Sequence, residues 1–525
     1  MTTHSQNSPM FHVKHSPVRY HADAAALFAA LGGVDNPNTL LLESADIDSK
    51  KNTACMAIIA AAVRVTCTQH SVTADALTPT GEAMLRRLAE QLPEFVVSET
   101  TTTLEFQFPP TTAHNERERL QAQSTAAVLR ALQENAGYRG ETVPMVGGGF
   151  AFDYIDSFEH LPEVRGGHNT FPDYQFLVAE QLLRIDHLTQ TADIECVALS
   201  QEAATESVEK LSGLIGSFVA TPADPTPTPT AALPVQASVS DAEFRAHVER
   251  LQGNIAAGDI YQVVPARSFS TACPDAFAAY RSLRSVNPSP YMFYFHGLAA
   301  GQPFELFGAS PESNLKFTAL TREVQLYPIA GTRPRGLTAD GQINHELDIR
   351  AELDMRTDAK EMAEHIMLVD LARNDLARVA VPATRKVAEL LQVDRYSRVM
   401  HLVSRVTATL DTDFDALDAY RACMNMGTLT GAPKLRAMEL IRETEGVRRG
   451  SYGGAVGYLS GDGSMDTAIV IRSAFVQDGT AIVQAGAGVV RDSQPQAEAD
   501  ETVHKAYAVL SAIAAAQAKF PEVQR

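Results

Sequence analysis

Four glutamates at two places offer the most legible chemistry. Glu361 and Glu364 lie three residues apart in "DAKEMAEHIMLVDLARNDL", and Glu498 and Glu501 repeat that spacing in "QPQAEADETVHKAYAVL". Residues three apart on a helix project from one face, so each pair is aimed in a single direction. If the pairs converge, four carboxylates with no His or Cys among them make a hard, all-oxygen site suited to Mg²⁺. Such an ion keeps some waters and takes the rest of its shell from an anionic substrate. Like charges gathered in one place are costly unless a cation compensates them, so convergence would itself imply a metal. Without convergence each pair is a solvated helix face, a common setting for Glu at i,i+3. Spacing alone leaves both readings open.

The glutamates need helices to hold them, and the pattern predicts helices over 358–378 and 495–519. Met362, Ile366 and Val369 form the expected inward face of the first. Pro495 suits the first helical position of the second, and both its glutamates fall in the opening turns, where the helix dipole favours negative charge. Ser240 stands three residues before Glu243 in a capping-box pattern, followed by Phe244, Val248, Leu251 and Ile255 at helical spacing, with Gly258 as the stop. "DIYQVVPARSF" then reads as a strand carrying Tyr261 and Gln262. "SYGGAVGYL", "MDTAIVIRSAFV" and "TAIVQAGAGVV" are β-rich runs parted by turn signals and predict an antiparallel meander. The class is therefore α+β with antiparallel sheet, not a Rossmann-type alternation. "TPADPTPTPTAALP" (221–234) should form neither helix nor central strand, because each proline removes a backbone donor. The expected organisation is an N-terminal domain over 1–220, a linker over 221–237 and a second domain over 238–520.

Composition narrows the function. The 525 residues are 45% hydrophobic and 20% charged, which is globular and long enough for a large core. A net charge of −19 argues against a nucleic-acid or anionic-membrane partner, although a local basic pocket could still take an anionic ligand. The five cysteines lack CxxC spacing, so neither a disulfide framework nor a zinc site is suggested. With no export signal and no apolar run of about 18 residues, a soluble protein of the reducing cytoplasm is expected.

Five long motifs stand in order: "LFGASPES" (306–313), "YPIAGTRPRG" (327–336), "EHIMLVDLARND" (364–375), "GTLTGAPKLRAMELI" (427–441) and "GAGVVRDSQPQAEADET" (486–502). They closely resemble the chorismate-utilising enzymes, and among them anthranilate synthase component I. The resemblance covers 238–519, and "LLLESADIDSK" (40–50) extends it into the N-terminal part.

This resemblance implies two large antiparallel β-sheets flanked by helices, with chorismate held between them. It implies Glu364 and Glu501 as direct Mg²⁺ ligands, with Glu361 and Glu498 acting through water. The ion would chelate the ring carboxylate and ease loss of the C4 hydroxyl. Arg472, Tyr452 and Lys505 would cradle the other carboxylate, beside Gly486, Ala487 and Gly488, and Arg472 can offer a bidentate fork. Gly331 and Thr332 resemble a substrate-contacting pair. Glu312 is the implied general acid, and His401 assists near the C4 oxygen.

Two positions separate the branches of this family. Isochorismate and salicylate synthases carry a water-activating lysine at the place of Gln262, and aminodeoxychorismate synthases commonly carry a nucleophilic lysine at the place of Ala330. Neither lysine is present here. What remains is addition of ammonia at C2, loss of the C4 hydroxyl, and elimination of pyruvate to give anthranilate. A 2-amino-2-deoxyisochorismate synthase, stopping at the intermediate, is the nearest alternative. No amidotransferase segment is seen, so a separate glutamine amidotransferase subunit is implied, commonly in a heterotetramer. A degenerate amino-acid sensor is the non-enzymatic alternative, and it would have little reason to keep this whole residue set.

A regulatory pocket for L-tryptophan as feedback inhibitor is implied by two segments. Ser44 in "LLLES" and Pro290, Tyr291 and Met292 in "NPSPYMFYF" match its walls. Proline, tyrosine and methionine supply an apolar slot for an indole, and the serine hydroxyl can bond its polar end. The N-terminal domain would thus be regulatory, with 287–293 of the catalytic domain completing the pocket.

Overall fold

The computed structural model describes residues 11–46, 51–111, 113, 115–134, 137–139, 143–220, 229–338, 342–395 and 399–525. Its organising element is the strand Asn52–Thr68, a run of small and β-branched residues buried along most of its length. Its first half pairs with Thr39–Ala45 and its second half with Ser71–Ala76, while Tyr174–Asp186 follows its other edge through three register shifts. Such irregularities bend a strand and let it serve two surfaces.

From it spread two walls. One runs through Thr39–Ala45, Tyr291–Ala299, Gln302–Ser310, Ser473–Gln477, Thr480–Gly486 and Ala266–Ala272, antiparallel throughout. The other runs through Tyr174–Asp186, Met145–Phe150, Ala455–Ser460, Met465–Ile469, Ser313–Thr318, Glu323–Leu326 and Val399–Thr409, again antiparallel. Leu177 and Val456 from one wall are buried in one cluster with Phe293, Leu306 and Phe475 from the other. These are the two large antiparallel sheets of an α+β fold, joined as one hydrogen-bonded network.

Helices close the outer faces. Pro495–Ala515 begins with its proline in the first turn and packs against Asp241–Ala257, Ala276–Val286 and Thr480–Gly486. Its Val509, Leu510 and Ile513 are fully buried, each worth about 1.5–3 kcal/mol of burial. Asp241–Ala257 has the expected capping box between Ser240 and Glu243, and Gly258 ends it in the left-handed conformation. The helix Ala359–Ala377 forms as expected, but Ile366 is exposed; His365, Leu368, Val369, Ala372 and Leu376 make the inward stripe instead.

Three strand readings change. "DIYQVVPARSF" is broken at Pro265 into Gln262–Val263 and Ala266–Ala272, and Tyr261 lies outside both, largely exposed. The three β-rich runs form two hairpins in different walls rather than one meander, because "MDTAIVIRSAFV" breaks into Met465–Ile469 and Ser473–Gln477. Of the proline-rich segment, 221–228 lie outside the described residues, as do 47–50 of "LLLESADIDSK". Its end, including Pro234, joins the strand Ala231–Ala237, which runs parallel to Lys519–Gln524. Ala266–Ala272 meets that strand's other edge only at Gln236 and Ala237, so it does not call on the missing N–H of Pro234. All five cysteines are buried and unbridged. Among the described residues no helix is long and apolar enough to cross a membrane.

Candidate functional site

A cavity of about 520 Å³ opens where the two walls meet the helices Ala359–Ala377 and Pro495–Ala515. Glu361, Glu364, Glu498 and Glu501 line it, together with Gln262, Glu312, Gly331, His401, Arg472, Gly488 and Lys505. The structure thus brings both carboxylate pairs to one space. A recess of about 60 Å³ adjoins it, sharing Glu312, Thr428, Arg472 and Lys505 and adding Tyr452 and Gly486.

Arg472 owes its place to the broken strand. Residues 470–472 cross from one wall to the other, and Arg472 takes a left-handed φ of 49° there instead of lying on a strand as expected. Its Nη1 donates to the carbonyl of Lys505 at 2.8 Å, and Lys505 Nζ donates to Gly486 O at 3.0 Å. Burial lowers the Arg472 pKa, while Glu312, Tyr452 and Glu501 pull it back up. Two cations in one recess suit an anion. Burial pushes the buried Tyr452 phenol up to about 12, so it stays a neutral donor. In "GAG" the central Ala487 is fully buried and its N–H donates to Pro265 O, so it faces neither space. At Gly488 a Cβ would approach Gln262 Nε2 to 2.9 Å, so a larger residue there would displace the end of the Gln262 side chain.

Glu312 follows Pro311 at the mouth of the strand Ser313–Thr318, and its carbonyl accepts from Ile469 N–H at 3.0 Å. Burial raises its pKa; the Thr428 hydroxyl, donating to Oε2 at 3.1 Å, opposes that rise, as do Lys505 and Arg472. A carboxyl so placed is suited to hold a proton and give it up. His401 is held neutral, its pKa lowered to about 4 by burial first and then by Arg472. Nδ1 donates to Gly331 O at 3.3 Å, so Nε2 is the unprotonated nitrogen of that tautomer. Gly331 adopts a left-handed φ of 81°, and Thr332 lies opposite His401 in the sheet register.

The donor set fits Mg²⁺ in kind, being four carboxylates on two helices. They are not drawn together as a ready cluster: among the described residues no three acidic, His or Cys side chains are gathered closely enough to hold a metal. Glu361 Oε1 instead meets Arg333 Nη1 at 2.8 Å, and Glu501 Oε1 meets Lys505 Nζ at 2.6 Å. Both carboxylates therefore already stand opposite a positive charge.

Between the walls lies a second cavity of about 210 Å³, lined by Ser44, Pro290, Tyr291 and Met292, all four of the residues expected there. Glu43, Val456, Tyr458, Asp466 and Ala468 are among the other residues that line it. Ser44 Oγ is 2.6 Å from Thr53 Oγ1, and Tyr291 donates its hydroxyl to Asp466 at 3.2 Å.

Sequence reasoning missed Thr428, His504 and Arg333 as neighbours of the main cavity. Thr428 and Arg333 sit inside quoted motifs, and that membership was the available signal.

An α+β frame with a cavity lined by paired carboxylates, two cations and a buried carboxyl of raised pKa defines an enzyme that handles a small polyanion. The chain belongs to the chorismate binding enzyme family, whose pattern it matches over residues 93–511, and within it to the anthranilate synthase component 1 branch. It is 50% identical over 510 residues to anthranilate synthase component 1 of Vibrio cholerae serotype O1, covering 95% of this chain and 96% of that protein. Identity to the Escherichia coli K12 protein of the same name is 50% over 506 residues, at 95% and 96% coverage. Among solved structures, anthranilate synthase component I from Streptococcus pneumoniae TIGR4 superimposes with a TM-score of 0.67 at 28% identity, covering 87% of this chain and 92% of that one. The menaquinone-specific isochorismate synthase of Escherichia coli shares the fold, with a TM-score of 0.65 at 19% identity and coverage of 96% and 95%.

Proposed function

We propose that this chain converts chorismate and ammonia to anthranilate, pyruvate and water, the first committed step of L-tryptophan biosynthesis, in the cytoplasm. The observation that carries this reading is the convergence of both glutamate pairs, the Arg472 and Lys505 cations and buried Glu312 on one cavity. Gln262 and Ala330 also line it, and neither can act as the lysine that would activate water or attack the ring.

Arg472 and Lys505 bind the enolpyruvyl carboxylate, and Tyr452 adds a neutral donor. Glu364 and Glu501 would hold Mg²⁺, with Glu361 and Glu498 acting on it through water, and the ion would supply charge neutralisation at the ring carboxylate. Glu312 gives its proton to the C4 hydroxyl, which leaves as water as the C2–N bond forms. His401, neutral, orients that oxygen without repelling the developing charge. Loss of the C2 proton and cleavage of the C3–O bond then release pyruvate and leave the aromatic ring. Ammonia comes from a separate glutamine amidotransferase subunit, in a heterotetramer, and tryptophan inhibits from the cavity around Ser44.

The purified chain with chorismate, ammonium and Mg²⁺ should give fluorescent anthranilate and pyruvate. Glutamine should serve only after the amidotransferase subunit is added. A product that keeps its enolpyruvyl group would overturn the assignment in favour of the 2-amino-2-deoxyisochorismate reading.

A further inference from the structure

Arg333 stands two residues beyond Gly331 on the strand Ile329–Pro334, and three carboxylates surround it. Nε meets Asp354 at 2.8 Å, Nη2 meets Asp358 at 3.0 Å and Nη1 meets Glu361 at 2.8 Å. Asp354 belongs to the helix His345–Thr357, and Asp358 caps that helix immediately before Ala359–Ala377 begins. One guanidinium therefore pins the strand to the junction of two helices and contributes a unit charge to a glutamate that lines the main cavity. Arg333 itself does not line that cavity.

We infer that Arg333 is an internal counter-ion to Glu361, which a divalent cation must outcompete, and so a positioning residue that sets cation affinity. This rests on the Mg²⁺ reading above. A carboxylate beside Glu364 needs positive charge nearby, and Arg333 supplies it before a metal does. A fixed guanidinium also repels an arriving dication and withholds part of the Glu361 charge from it. Asp354 and Asp358 moderate both effects by sharing the guanidinium's charge.

The sign distinguishes this role from a merely structural one. Mn²⁺ serves as the probe, its unbound fraction counted by EPR during titration of the full chain without substrate. Arg333→Gln should bind Mn²⁺ about threefold or more tightly than the parent. Asp354→Asn, an exposed change that leaves the fold intact, should weaken binding about twofold in the parent by returning the full guanidinium charge to Glu361. The same Asp354→Asn change should have no effect in the Arg333→Gln background, whereas a general loss of negative field would weaken both. If Arg333→Gln does not fold, unchanged affinity in Asp354→Asn overturns the role. Weaker or unchanged binding in folded Arg333→Gln overturns it also. Parent protein that binds no Mn²⁺ either alone or with chorismate added overturns the cation reading itself, and the counter-ion role with it.

Discussion

Replacing Thr428 with valine deletes one hydroxyl and keeps nearly all of the side chain's volume, and the effect should appear at Glu312. The Thr428 hydroxyl donates to Glu312 Oε2 at 3.1 Å and is the largest influence opposing the upward push of burial. A hydrogen bond to a charged group is worth about 1.5–3 kcal/mol, and one pKa unit is about 1.4 kcal/mol, so the loss corresponds to roughly one to two units. Arg472 and Lys505 remain and still favour the carboxylate, which points to the lower end, about one unit. The hydrogen bond favours the ionised form, so its removal raises a pKa that is already raised. An acid that must carry a proton works below its pKa and fails as pH rises through it. The alkaline limb of kcat/KM for chorismate should therefore move upward by about one unit. Initial rates follow anthranilate fluorescence at saturating Mg²⁺, with total ammonium adjusted at each pH to hold free ammonia constant. Glu312→Gln is the reference, expected to remove that limb and cost roughly 100- to 10,000-fold in rate. A limb that stays in place or moves downward in Thr428→Val would refute Glu312 as the proton donor.

Glu364→Ala and Glu501→Ala should each abolish turnover while leaving the melting temperature near that of the parent, and EDTA should reproduce the loss; full activity of either variant at ordinary Mg²⁺ would return that glutamate to the solvated helix face. Ser44→Phe should fill the cavity between the walls and relieve inhibition by tryptophan, and in the parent chorismate should weaken tryptophan binding reciprocally. Inhibition persisting unchanged in Ser44→Phe would remove the regulatory assignment.

Local chemistry was legible wherever a residue's meaning lies within one turn or one strand. Ser240 and Glu243 form their capping box, Pro495 opens its helix, and Glu361 with Glu364 share a face because helical geometry leaves no choice. What depends on distant pairing was not legible. The run around Arg472 is β-rich on both sides, and only the competition between two walls for its halves breaks it there. Ile366 fits an apolar stripe by period, yet His365 takes the buried place, bonded to Ser404 at 2.6 Å, because a polar partner waits in the sheet. Thr428 carries no charge to draw notice, and its role exists only through Glu312, more than a hundred residues away.

One strand lines the smaller cavity and is bonded to a residue of the larger, and this decides how one could influence the other. Asp466 and Ala468 of Met465–Ile469 line the cavity around Ser44, while Ala468 pairs with Ser313 and the next residue, Ile469, donates its N–H to the carbonyl of Glu312. From there the chain passes through 470–471 to Arg472, which reaches the Lys505 carbonyl. On the proposed reading, a ligand wedged against Asp466 would push on the strand that fixes the Glu312 backbone and leads into Arg472. No relay of loose side chains is required, since a hydrogen-bonded strand moves as a unit. The proposed inhibition would then need only that the ligand bind one position of this strand better than the other, and substrate held at Glu312 and Arg472 would resist that shift by the same free energy.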